Sequence, residues 1–172
     1  MLGKPVAGGV PASVWGMSDA VAERYAAYNR AKEPGYSGMG TTLSANPLQF
    51  AAMRATLEEV MTAENYARME GLAARLEAGF DAAIERHGLP WHVARVGARV
   101  EFIGAPGPLR NGSEAEAAHA PALEAAIHVA LVNRGTLIAP FHNMMLISPA
   151  TKKKQVDRLI AAFGDIAAEL AA

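Results

Sequence analysis

The clearest periodicity lies near the end of the chain. Val156, Leu159, Ile160, Phe163, Ile166, Ala167 and Leu170 fall at i, i+3, i+4, i+7, i+10, i+11 and i+14, one stripe of a 3.6-residue repeat. That spacing predicts a terminal amphipathic helix facing a core. A helix over 47–61 is predicted with Phe50, Met53, Leu57, Val60 and Met61 on one face. Another over about 63–87 carries Met69, Leu72, Ala73, Leu76, Phe80 and Ile84 on its stripe, with Gly88 as a left-handed stop. From Trp91 the period shortens to two: residues 92–102 alternate apolar and polar positions with several β-branched side chains, which suits strands with one solvated face. A loop rich in Gly, Pro and charge spans 104–119, and a helix over 121–133 is closed by Arg134-Gly135. Two short strands, 137–139 and 144–147, are expected around a turn at 140–143.

The front of the chain is patterned differently. Residues 1–16 crowd glycine and proline around small residues, a composition for a tight loop leading into a short strand over 12–15. Ser18 and Asp19 offer capping oxygens to a short helix running through Tyr28. Residues 33–47 return to turn chemistry, ending in Asn46-Pro47 as a helix start. The order strand-rich segment, helix, two strands, helix predicts an α/β fold of the α+β kind for the back half, with helices packed on a small sheet. Residues 1–45 read as the tail of something larger.

Composition narrows the function classes. A chain of 172 residues that is 51% hydrophobic and 19% charged has ample material for a core and is not a disordered tail. With a formal net charge of −1, it has no bulk positive field to hold nucleic acid or anionic lipid. The absence of cysteine removes disulfides, thiolate nucleophiles and Cys-based metal sites. No apolar run approaches the roughly 18 residues of a spanning helix, and the first residues lack a signal-peptide pattern, so a cytoplasmic location is expected. His87, His92, His119 and His128 show no paired ligand spacing, so no metal is predicted. Lys152-Lys153-Lys154 reads as a solvated run at a helix start.

Two segments carry candidate chemistry. Lys4 sits on the glycine-rich loop, where a lysine amine can be partly desolvated and form a Schiff base with an aldehyde; a solvated lysine is the ordinary alternative. Thr41 and Thr42 follow glycines and precede the Asn-Pro helix start, where hydroxyls and free N–H groups suit a phosphate, with a merely capped helix as the alternative.

Leu2-Gly3-Lys4-Pro5-Val6-Ala7-Gly8-Gly9-Val10-Pro11 resembles the lysine segment of the class III pyridoxal-phosphate-dependent aminotransferases, L-G-K-x-x-G-G-G-x-P. Gly40-Thr41-Thr42-Leu43-Ser44-Ala45-Asn46-Pro47-Leu48 resembles the family's G-T-x-x-G-N-P-L block, with Thr42 lying 38 residues beyond Lys4. Ala7 and Ala45 replace family glycines. The similarity covers essentially the whole chain and is greatest to glutamate-1-semialdehyde aminomutase-like members. It implies the C-terminal part of a fold-type I transferase: 1–62 as the tail of the large cofactor-binding domain, with the lysine loop and first long helix, and 63–172 as the small α/β domain. It implies pyridoxal 5′-phosphate as cofactor and Lys4 as its Schiff-base lysine and proton-moving base. Thr42 would bind the cofactor phosphate, reaching the site of the other subunit of a homodimer, while Thr41 stands where the family has glycine. The implied activity is amino transfer between a small-molecule donor and a keto or aldehyde acceptor; a glutamate-1-semialdehyde-type aminomutase and a catalytically inactive interaction module are the alternatives. Many members carry an arginine near the last strands for the substrate carboxylate, whereas this chain has Phe141-His142-Asn143-Met144. His142 is a candidate for the site entrance. In the family, the groups that stack on the pyridine ring and pair its nitrogen precede the lysine, so the 172-residue chain alone is expected to be inactive.

Overall fold

Helix α1, Asp19–Arg30, begins after Ser18, whose backbone carbonyl accepts from Val21 and Ala22 N–H at 3.0 and 2.9 Å. The expected side-chain cap does not form, so the first turn is held by backbone alone. The fold is described from a computed structural model, which covers residues 2–3, 5–40, 44–139 and 143–172. Its contacts divide the chain into two units, Met1–Thr62 and Ala63–Ala172.

In the first unit, the strand expected over 12–15 reduces to a single antiparallel bridge between Leu2 and Val14, with N–H to O distances of 2.7 and 2.8 Å. Helix α2, Pro47–Ala55, starts with Pro47 in its first turn and Asn46 Oδ1 accepting from Leu48 N–H at 2.8 Å. It then widens into a π-helical turn, Thr56–Val60, closed by Met61 N–H donating to Thr56 O at 2.8 Å. The long helix expected over 47–61 is therefore broken in type. A π turn inserts an extra residue into the winding, so Leu57, Val60 and Met61 leave the straight 3.6-residue stripe defined by Phe50 and Met53. Phe50, Leu57 and Val60 are exposed.

The second unit contains α3, Ala63–Arg86; the hairpin of β1, His92–Val96, and β2, Arg99–Ile103; the short α4, Gly112–Ala117; α5, Pro121–Asn133; β3, Met144–Leu146; and α6, Lys153–Leu170. The three strands form one antiparallel sheet in the order β1-β2-β3, with Val93 opposite Phe102 and Val100 opposite Met145. Gly97, at φ 57°, makes the hairpin turn; Gly88 (φ 63°) and Gly135 (φ 69°) stop α3 and α5 in the left-handed conformation that glycine adopts without a Cβ clash. The expected strand over 137–139 is absent; only Ala139 N–H reaches Met144 O, at 3.3 Å. Helix α4 lies inside the segment expected to be loop, nucleated by Asn111, whose side chain accepts from Glu114 N–H at 3.0 Å.

Alternate strand positions and the helix stripes meet in one core. Phe80 of α3 stacks on Phe163 of α6 at a centroid distance of 4.1 Å, and Phe102 of β2 meets both rings, at 5.8 and 4.9 Å. Leu76, Phe80, Val100, Leu131 and Phe163 are fully buried in it. Burial of each such side chain stabilises the fold by about 1.5–3 kcal/mol relative to exposure.

Candidate active site

The loop that carries Lys4 is shaped by successive backbone turns. Val6 N–H donates to Gly3 O at 3.0 Å, Gly8 to Pro5 at 3.3 Å and Val10 to Ala7 at 3.1 Å. Val6 and Ala7 are buried and anchor the loop, while Gly8 and Gly9 take φ values of 60° and 107° that side-chain-bearing residues rarely adopt. At Gly3 and Gly9 a Cβ would meet nothing within 4 Å.

The second candidate segment is tied to this loop through α2. Gln49 Nε2 donates to Pro11 O at 2.8 Å. On the same helix, Thr56 Oγ1 donates to Ala52 O at 2.8 Å and lies 3.1 Å from where a Cβ on Gly8 would stand. Helix α2 thereby joins the end of the glycine loop to the residues after the threonine pair. Ala45, just before the cap, has φ 57°, the position where the family pattern has glycine. At the helix N-terminus, Leu48 N–H is spent on Asn46 Oδ1 and Phe50 N–H on Asn46 O at 3.1 Å, so a capped helix start is what the described residues present there.

Lys4, Thr41, Thr42 and His142, the residues singled out by sequence, lie outside the described residues. Among the other histidines, His92 Nδ1 is 2.7 Å from Ala105 O and His119 Nε2 is 3.0 Å from Glu124 Oε2. No group of three or more His, Asp or Glu that could hold a metal occurs among the described residues. No helix among them is long and apolar enough to cross a membrane. Of the lysine run, Lys153 is paired with Asp157 at 2.8 Å, and Lys152 N–H is capped by Gln155 Oε1 at 2.8 Å. Gln49 and Thr56 were not foreseen from sequence: a glutamine and a threonine on a helix carry no spacing signal, and their roles come from the loop that folds against them.

No family model matches the chain. Among curated proteins, it is 33% identical over 171 residues to a glutamate-1-semialdehyde 2,1-aminomutase from Thermomicrobium roseum, covering 99% of this chain and 38% of that relative. Among solved structures, a glutamate-1-semialdehyde-aminomutase from Pseudomonas aeruginosa PAO1 is 48% identical with a TM-score of 0.91, covering 98% of this chain and 38% of that one. A second structure from that organism, a lysine-to-alanine variant in complex with PMP, is 48% identical with a TM-score of 0.88, over 95% and 37%. The chain thus spans well under half the length of the relatives it matches.

A glycine loop tied to a capped helix in the first unit, and helices packed on a small antiparallel sheet in the second, have here the fold of the C-terminal portion of fold-type I pyridoxal-phosphate enzymes. Within that class the chain is a homologue of the C-terminal portion of glutamate-1-semialdehyde aminomutases.

Proposed function

We propose that this chain is the C-terminal portion of a pyridoxal-phosphate-dependent enzyme that transfers an amino group between a small-molecule donor and a keto or aldehyde acceptor, with Lys4 as the catalytic lysine. The observation that carries the proposal is the hydrogen bond from Gln49, on the helix that the second matching segment starts, to Pro11, at the end of the first, on a chain whose homologues are class III enzymes. Residues 1–62 are the tail of the cofactor-binding domain and 63–172 the small domain. The assembled enzyme is a cytoplasmic homodimer with shared active sites.

Bound pyridoxal phosphate supplies an electron sink for the carbanion formed when the substrate Cα–H bond breaks. Lys4 Nζ would hold the cofactor and would serve as the base that takes up and returns the substrate proton. The buried Val6-Ala7 anchor restricts the loop that carries that amine. Thr42 would hold the phosphate through its hydroxyl and N–H, with Thr41 as a further contact, and the Asn46 side chain caps the helix that follows them in sequence. The aminomutase variant of this chemistry, in which donor and acceptor carbons lie in one substrate, is also compatible with the aminomutase names of the relatives at 33% and 48% identity.

The test uses the chain's lysines, Lys4, Lys32 and Lys152–Lys154. The protein is incubated with pyridoxal phosphate, reduced with borohydride and digested for mass spectrometry. A single label at Lys4, lost in Lys4→Ala, is expected. Labels spread over all the lysines and unchanged in Lys4→Ala would overturn the assignment.

A further inference from the structure

Helix α1 buries none of its residues, yet one of its faces is occupied. Tyr25, Tyr28, Asn29 and, just past the helix end, Lys32 fall at i, i+3, i+4 and i+7, a single stripe. That stripe meets residues 36–39 of the loop that follows. Tyr25 Oη accepts from Met39 N–H at 2.9 Å. The Tyr28 ring meets Tyr36 edge to face at a centroid distance of 6.3 Å, and Lys32 Nζ lies 4.0 Å from the Tyr28 ring centre and 5.8 Å from that of Tyr36. Gly38 turns with a φ of 66°, and a Cβ there would stand 2.6 Å from Tyr25 Oη and 3.5 Å from Asn29 Nδ2, so the turn closes directly on the stripe.

What this contact fixes is position more than stability. It removes little apolar surface from water, since Tyr28, Tyr36 and Met39 remain about half exposed. Its hydrogen bond falls on the backbone N–H of Met39, and Thr41 and Thr42 follow two and three residues further along the chain. Beyond them, Asn46 Oδ1 accepts from Leu48 N–H at 2.8 Å. The backbone is thus held on both sides of the threonine pair, each time by a side-chain oxygen on a main-chain N–H. The glycines at 35, 38 and 40 would otherwise leave the approach to the pair free to sample many conformations. A donor set for a phosphate acts through geometry: groups fixed before the anion arrives lose less freedom when it binds.

We infer that α1 is the clamp that sets the approach to the phosphate-binding threonine, with Tyr25 a positioning residue that acts on Thr42 through the backbone at Met39. The inference rests on the phosphate role proposed for Thr42. In this role Tyr25 touches neither cofactor nor substrate, and its effect is confined to ligands that carry a phosphate.

The chain is titrated with pyridoxal phosphate or with pyridoxal, which has the same aldehyde and lacks the phosphate, then reduced with borohydride and read by mass spectrometry. The quantity is the preference of Lys4 for the phosphorylated aldehyde, divided by the same preference at Lys152–Lys154, which removes the intrinsic reactivity of the two compounds. The parent chain is expected to show a preference above one, and Thr42→Ala to lose it. Tyr25→Phe removes only the hydroxyl and is expected to lower the preference about three- to tenfold, through pyridoxal phosphate alone. Tyr66→Phe, on α3, leaves it unchanged. Amide exchange at Met39 is expected to quicken in Tyr25→Phe. No preference in the parent chain, or one that survives Thr42→Ala, would overturn the phosphate role of Thr42 and this inference with it. A preference lost in Thr42→Ala but kept in Tyr25→Phe would overturn the clamp and leave Thr42 standing. So would unchanged exchange at Met39, or an equal weakening of both compounds in Tyr25→Phe, which is what a general loosening of the first unit would give.

Discussion

Asp157 and Asp81 sit in the same unit and respond to opposite environments. Hydrogen bonds from Arg75, at 2.5 Å, and Lys153, at 2.8 Å, hold the Asp157 carboxyl below its ordinary value of 3.8. Burial, with the neighbouring Glu77 charge, pushes Asp81 above 3.8, partly opposed by His92. A depressed carboxyl stabilises the fold above its unfolded pKa and loses that contribution as pH falls through the folded one; a raised carboxyl costs stability as pH rises past its unfolded pKa, in full above the folded one. Asp157→Asn is therefore expected to melt below the parent chain at pH 7 and to converge with it in strong acid. Asp81→Asn is expected to melt above the parent at pH 7, the gain vanishing as pH drops below about 3.8. Calorimetry across this range checks both, and curves that stay parallel at all pH values would show that neither group is linked to folding. At this scale the candidate site was partly legible. Lys4 and Thr42 stand in glycine patterns that can be read directly but lie outside the described residues, whereas the Gln49–Pro11 bond depends on a loop folding against a helix, which no spacing announces.

Helix α3 crosses α6 at Gly79, where a Cβ would come within 2.5–2.7 Å of the Ile160 side chain. Helix propensity alone favours alanine over glycine by about 0.5–1 kcal/mol. Overpacking of a well-filled contact costs about 1–3 kcal/mol, so at this crossing the steric cost exceeds the propensity gain. Gly79→Ala is expected to lower the urea midpoint. Gly71→Ala, on the same helix with nothing within 4 Å of the new Cβ, is expected to raise it. The double change Gly79→Ala with Ile160→Ala should recover part of the loss, and a stabilising Gly79→Ala alone would mean the helices do not meet there. The elements that sequence exposes best are those whose signal is local. The stripe of α6, the Gly88 stop and the Pro121 start all survive into the fold because each rests on a repeat or on backbone chemistry within a few residues. The misses depend on longer range or finer geometry. A strand over 137–139 needed ladder hydrogen bonds that the described segment does not make beyond Ala139 N–H, and the α2 stripe could not reveal a π turn that changes the winding at Thr56. Helix α4 was hidden because its six residues are too few to show a period, leaving Asn111 as its only marker.

The two units are held together internally by very different amounts of burial. In the second, α3, α5, α6 and the sheet enclose a continuous core around Phe80, Phe102 and Phe163. In the first, the buried apolar residues among those described are Val6 and Ala7, while Trp15, Phe50 and Leu57 stand about half exposed, at 48, 53 and 51%. Local opening free energy follows buried apolar contact, so the two units of the 172-residue chain should not open together. Native-state hydrogen exchange followed by mass spectrometry separates the cases. Peptides from α3, β2 and α6 are expected to exchange slowly and to share one denaturant dependence, that of global unfolding of the second unit. Peptides from α1 and α2 are expected to exchange orders of magnitude faster, with little denaturant dependence, because their backbone bonds break in small local fluctuations. Uniform protection across both units would mean that the half-exposed side chains of the first are covered in solution. Fast exchange in the first unit would instead leave its apolar face available, and an exposed apolar surface of that kind favours association.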